Sequence, residues 1–324
     1  MPEGDHHCGQ AECPRCGYDL CGETDRWTDT CPLESTCPEC GLDIRWTYVF
    51  GPMQAMPRWS VEHPTRRFPR AAAGTFFRSL LPRRFWQSLV MSSHAGLGSL
   101  FAYALIGTIA VSLLAAVPEL AIDAKFGFLQ NYITPTQHPW STPTRLDATY
   151  HGLSIILAPF GTFWWSRSNW PIPDIEWELL LPPLFVALCP AAYLCLPSTL
   201  NACKVRKTHV ARAFLLSIPA AIFSFELLYL GHILLITGFS NATGRLLSFL
   251  YFIEPIAAAG VLWILPLFAL QWTWWHAVNK RYLRLPNPRA ITLAMLAIAA
   301  LATLIPLFAF TPAGVQLVRV LGLA

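Results

Sequence analysis

From about position 95 onward the chain repeats one pattern, a run of twenty or more mostly apolar residues followed by a polar segment. The runs cover 97–117, 177–196, 212–238, 247–271 and 290–310. About twenty apolar residues suffice for a helix to cross the hydrocarbon layer, so the pattern predicts about five transmembrane helices. The organising stretch is 212–239, where Glu226 and His232 interrupt an otherwise apolar run. A further apolar piece, 153–165, is only thirteen residues long and lies beside Trp164, Trp165, Trp170 and Trp177. Its length and its aromatic neighbours fit an interfacial or re-entrant segment better than a crossing.

The polar segments alternate in charge. Arg58, Arg66, Arg67, Arg70, Arg78, Arg83 and Arg84 precede the first run, Lys204, Arg206, Lys207 and Arg212 follow the second, and Lys280, Arg281, Arg284 and Arg289 follow the fourth. The intervening segments hold only Lys125, Arg145 and Arg167, then Arg245, then Arg319. Positive-inside reasoning therefore predicts a multi-pass protein of the cell (inner) membrane, with a cytoplasmic N-terminus and an extracytoplasmic C-terminus. Composition agrees: 54% of residues are hydrophobic and 13% charged, against about 25% charged in soluble proteins. The net charge of +4 is spread over these loops, so no nucleic-acid face is expected. The opening MPEGDHHCGQ has no basic region followed by an apolar core, and the head is expected to remain cytoplasmic.

Ahead of the runs lie two smaller domains, 1–46 and 47–94, with 95–324 as the transmembrane domain. In 47–94, Phe77, Leu80, Leu81, Phe85, Trp86, Leu89 and Val90 recur at helical spacing among the arginines, broken at Pro82. That pattern predicts amphipathic helices lying on an anionic membrane surface, the alternative being a solvated linker with incidental aromatics.

Seven of the ten cysteines lie within the first forty residues. Cys13/Cys16 and Cys37/Cys40 form two CxxC pairs about twenty residues apart, each followed by glycine. In a reducing compartment such a pattern favours metal over disulfides. Each CxxCG is expected to turn as a knuckle, with Gly17 and Gly41 at positive φ, and two knuckles close a tetrahedron of sulfurs around a structural Zn2+. The first knuckle with Tyr18 also looks like a rubredoxin iron site. Cys8, Cys21 and Cys31 read as spare thiols, although Cys8 with His6 and His7 offers alternative ligands. A β-type ribbon this small draws much of its folding free energy from metal, so the apo head is expected to be disordered.

Ionisable groups inside membrane helices are costly and are functional candidates by default. Counting from the outer helix ends, His232 lies roughly 9 Å deep and Glu254 roughly 11 Å deep on consecutive antiparallel helices, depths at which the two could meet. Glu226 lies further in on another part of the helix surface. Such groups form a proton-responsive couple or only hold helices together. Pro219, Pro255 and Pro266 are expected to mark kinks and Pro118 to end the first span. Trp272, Trp274, Trp275 and His276 read as an interfacial belt, and Cys189, Cys195 and Cys203 as small packing hydrophobes. The sequence has no HExxH, GxSxG, P-loop or dinucleotide-binding turn, so no enzyme activity is expected.

CPRCGYDLCG with CPECG resembles the zinc-ribbon heads of many uncharacterised bacterial membrane proteins. The body, through FFRSLLPRRFWQSL before the first run and THVARAFLLSIPAAI entering the third, resembles the Yip1 family, whose five spans and inner N-terminus the resemblance implies here. Together these readings predict an α-helical polytopic membrane protein with a small N-terminal zinc ribbon that mediates interaction with a cytoplasmic protein partner at the lipid bilayer. The alternative is a transporter or proton-responsive sensor using Glu226, His232 and Glu254.

Overall fold

The computed structural model describes residues 11–28, 30–51, 56–63, 66–91, 96–126, 163–164, 174–175, 177–194, 203–242 and 255–310. These are mostly helical. The elements run α1 (Cys21–Thr24), β1 (Glu34–Thr36), β2 (Asp43–Arg45), α2 (Trp46–Phe50), α3 (Phe68–Ser79), α4 (Pro82–Ser88), α5 (Leu97–Phe126), β3 (Phe163–Trp164), β4 (Asp174–Ile175), α6 (Trp177–Leu194), α7 (Lys207–Ala242), α8 (Pro255–Ala277), a π turn (Val278–Tyr282) and α9 (Pro288–Phe310). Among the described residues the strands pair antiparallel, β1 with β2 and β3 with β4.

Helices occupy the described parts of the five apolar runs, and among the described residues two are long and apolar enough to cross a membrane: Leu97–Pro118 and Lys207–Leu228. Helix α5 continues through Pro118 to Phe126 rather than stopping there. A proline inside a helix removes one hydrogen bond but does not end it where the flanking sequence stays helix-compatible. Pro219 and Pro266 likewise lie inside α7 and α8. Pro255 instead opens α8, as Pro82 opens α4 and Pro288 opens α9; at a first helical position the missing N–H has no partner to lose. Of 153–165, only Phe163 and Trp164, in β3, fall within the described residues.

By internal contacts the chain divides into two units: Met1–Leu105 with Pro190–Ser217 and Trp272–Leu296, and Ile106–Cys189 with Ile218–Gln271 and Ala297–Ala324. In the second unit, Phe185 stacks on Phe268 with ring centres 6.4 Å apart.

The first unit holds the ribbon and the basic segments. Its core is aromatic. Phe85 and Trp86 of α4 are buried and meet Trp274 at 5.7 and 5.4 Å, and Trp86 meets Tyr282 at 4.9 Å. The expected lipid-facing stripe of 47–94 is thereby corrected: Phe85, Trp86 and Leu89 pack inside the protein, while Phe77 and Leu81 are exposed beside Arg78, Arg83 and Arg84. The belt reading of Trp274 and Trp275 is corrected for the same reason, since both are buried. Helical spacing marks a face but does not say whether lipid or protein covers it.

Helix α3 turns a face of small residues inward, Ala71, Thr75 and Ser79. Thr75 Oγ1 accepts a hydrogen bond from the Val61 N–H at 2.9 Å and donates to the Trp59 carbonyl at 3.3 Å. The π turn widens the helix so that Asn279 and Tyr282 both point inward. Tyr193 donates to Asn279 Oδ1, and Asn279 Nδ2 donates to Thr292 Oγ1 at 2.9 Å, tying α6, the turn and α9 together through buried groups.

Candidate metal centre

The two CxxC segments fold alike. Cys13 to Cys37 and Cys16 to Cys40 are each 24 positions apart, and the same hydrogen bonds recur at that offset. In the first, Gly17 N–H donates to the Cys13 carbonyl at 2.9 Å and Cys13 N–H to the Tyr18 carbonyl at 2.8 Å. In the second, Gly41 N–H donates to Cys37 and Cys37 N–H to Leu42, both at 2.9 Å. Each knuckle is the turn of a small hairpin, closed by the Glu12–Asp19 bridge in one case and by Thr36 opposite Asp43 in the other. Gly17 and Gly41 take φ of +78° and +67°, the left-handed region that L side chains avoid.

The hairpins bring together the four predicted ligands. The Sγ atoms of Cys13, Cys16, Cys37 and Cys40 all lie within 4.8 Å of one another. Cys13 to Cys40 is 3.6 Å and Cys16 to Cys37 is 3.8 Å. Those separations are far longer than the roughly 2.05 Å of a disulfide. They match the edge of about 3.8 Å expected between sulfurs placed tetrahedrally about 2.3 Å from one ion. The cluster can therefore hold a metal ion.

The electrostatics suit a cation at the centre. Burial pushes the Cys13 thiol well above the usual range against the N–H groups of Cys16 and Arg15, and burial raises Cys40 to about 11. At Cys37 burial also acts upward, but the N–H groups of Cys40 and Glu39 outweigh it and the thiol is lowered. A bound divalent ion supplies the positive charge that lets such thiols ionise together. Of the remaining head cysteines, Cys31 is exposed and free. Cys21, expected as a spare thiol, is disulfide-bonded. Cys8, His6 and His7 lie outside the described residues.

The knuckles are held against the segment leading into α7. His209 Nε2 lies 2.6 Å from the Pro14 carbonyl. A carbonyl only accepts, so Nε2 carries the proton. His209 Nδ1 then accepts from the Tyr282 hydroxyl at 2.8 Å, whose oxygen accepts from Arg212 Nη1 at 2.7 Å. Arg212 Nε and Nη2 both donate to Glu62 Oε2, at 2.9 and 2.5 Å. A continuous buried chain thus runs from Glu62 to a carbonyl between two metal-ligand candidates. Around it, the Arg206 N–H donates to the Arg15 carbonyl at 3.1 Å, Lys204 reaches the Glu39 carbonyl at 2.9 Å, and Arg206 pairs with Glu12 at 2.5 Å. The ion pairs are solvent-exposed and worth at most about 1 kcal/mol each; the buried hydrogen bonds fix the seat.

No family model, curated protein or solved structure matches the chain.

The intramembrane candidates are placed less completely. Glu226 is buried in α7. His232 belongs to the same helix, with its side chain outside the described residues, and Glu254 lies outside them altogether. Their expected meeting therefore lies outside the described residues.

Glycine at the first knuckle has a second role. A Cβ on Gly17 comes within 2.0 Å of Arg206 Nη2, whereas one on Gly41 meets nothing within 4 Å. Gly41→Ala is expected to cost about 1–2 kcal/mol for the left-handed backbone alone. Gly17→Ala is expected to cost that and also to displace Arg206 from Glu12. Thermal unfolding of the two metal-loaded variants checks the order; equal losses would refute the role given to Arg206.

Proposed function

We propose that the chain is a noncatalytic integral membrane protein with about five spans, a cytoplasmic N-terminus and an extracytoplasmic C-terminus, whose four cysteines hold a structural Zn2+. In this reading the ribbon presents a protein-interaction surface at a fixed position on the membrane. The observation that carries the reading is the seating of both knuckles on the segment 203–209, which makes the ribbon a mounted platform rather than a tethered one. Exposed Leu33 on the ribbon, and Phe50 in α2 just after it, offer a partner apolar surface. Exposed Phe77 and Leu81, flanked by arginines, suit contact with an anionic headgroup layer.

The test uses the full chain in nanodiscs. Elemental analysis is expected to find one zinc per chain; iron in its place would remove the zinc assignment. Crosslinking in cells is expected to give a partner set that is lost both on chelation and in Leu33→Asp. Partners insensitive to both would overturn the interaction reading. The burial of Glu226 keeps a second reading in view, a transporter or proton-responsive sensor. Proton or solute flux in liposomes that Glu226→Gln abolishes would favour it.

A further inference from the structure

The groups that seat the ribbon are the peptide carbonyls lying between metal-ligand candidates. Pro14 and Arg15 separate Cys13 from Cys16, and Pro38 and Glu39 separate Cys37 from Cys40. Three of these four residues present their carbonyls to one short segment: Pro14 to His209, Arg15 to the Arg206 N–H and Glu39 to Lys204. The direction of a carbonyl inside a CxxC turn is set by closure of that turn, and closure of both turns is what a tetrahedral ion enforces.

We propose that the paired knuckles are a metal-operated latch on the base of α7. With the four cysteines filled, the inter-ligand carbonyls are aimed at residues 204–209 and the segment is held. With them empty, the turns relax and the carbonyls leave. The His209 Nε2–H then loses its acceptor, and the buried line through Tyr282 and Arg212 to Glu62 opens at its outer end. Metal occupancy on the ribbon thereby controls the order of the entry to an apolar helix. This inference rests on the reading of the four cysteines as a metal site and adds to it a coupled element.

The coupling is reciprocal by thermodynamic linkage: if metal stabilises the seat, the seat must tighten the metal. His209 touches no sulfur, so its substitution separates the two. The experiment is amide hydrogen exchange on the full chain in detergent, zinc-loaded and then chelated, with metal content measured in parallel. Exchange across 203–212, and at the Arg206 amide in particular, is expected to speed up by about tenfold or more on chelation, while 291–303 in α9 is unchanged. Zinc-loaded His209→Ala is expected to exchange rapidly across 203–212 with its four cysteines still filled, and to bind zinc about fivefold or more weakly. His209→Gln, whose amide can still donate to the Pro14 carbonyl, is expected to recover most of both effects and guards against a folding defect in the alanine variant. A chain that binds one zinc but shows the same exchange at 203–212 with and without it overturns the latch and leaves the metal site standing. A chain that binds no metal overturns both.

Discussion

Serine at Cys13 or at Cys37 is expected to abolish stoichiometric metal binding and to unfold residues 11–46, while serine at Cys31 leaves both unchanged. Cys13 and Cys37 are the two buried sulfurs of the cluster, and Cys31 is free and exposed. The size of the effect follows from how little else holds the head together. Its regular structure is two strands of three residues and helices of four and five residues, and an isolated hairpin is marginal in water. Its apolar core is short: Leu20, Leu42, Ile44 and Trp46 are buried, with Trp27 edge-on to Trp46 at 4.7 Å. Binding of structural zinc at neutral pH supplies on the order of 10 kcal/mol or more, which exceeds what such a core provides. Limited proteolysis and elemental analysis check the outcome. Zinc-free protein whose head resists protease as the wild type does would show that contact with residues 203–209 suffices for folding, and would remove metal from the structural account. Acid is expected to act in the same direction as chelation, because thiolates must be protonated to release the ion.

What the sequence revealed and what it concealed have different physical origins. The metal cluster was legible because its geometry is local: a CxxCG turn is closed by bonds within six residues, and both glycines adopt the backbone their position implied. Apolar runs were legible as helices for the same reason. The seat of the ribbon was not, because it is made by residues nearly two hundred positions apart, Pro14 with His209 and Glu12 with Arg206. By loop position Arg212 counts as one more cytoplasmic charge, yet it is among the largest fully buried side chains. A signal was present. Glu62 is the only acidic residue in 46–94, within a stretch holding seven arginines, and a lone carboxylate in such surroundings asks for a specific partner. Phe85, Trp86, Trp274 and Trp275 failed in the opposite sense, since amphipathic spacing beside arginines is the same whether the apolar face meets lipid or the rest of the chain.

Arg212→Ala is expected to be the most damaging single change outside the cysteines, lowering stability by about 3–5 kcal/mol. The side chains of Arg212 and Glu62 are 1% and 0% exposed, so truncating the arginine leaves a carboxylate out of water with no countercharge. The cost is raised by the way the pair is made. Both guanidinium contacts fall on Oε2, and Oε1 has no hydrogen-bond partner among the described residues. Among the described residues Glu62 thus has no second side-chain donor to fall back on. Glu62→Gln is expected to cost less, because the amide oxygen can still accept from Arg212, and the guanidinium keeps the Tyr282 hydroxyl at 2.7 Å and the Val90 carbonyl at 3.2 Å. The double variant Arg212→Met with Glu62→Leu removes both charges and fills the space with apolar groups, and is expected to recover most of the loss. Thermal unfolding in detergent of Arg212→Met, Glu62→Leu and the double variant beside the wild type forms a cycle whose coupling term isolates the pair. A double variant no more stable than Arg212→Ala would mean that the damage comes from lost packing around Tyr282, over whose ring the guanidinium lies at 5.4 Å, and not from an uncompensated charge. If the pair acts as argued, the double variant also separates stability from coupling. Tyr282 loses its Arg212 donor but keeps its own donation to His209 Nδ1, and the ribbon's seat, made by His209 with Pro14, the Arg206 N–H with Arg15 and Lys204 with Glu39, is expected to survive.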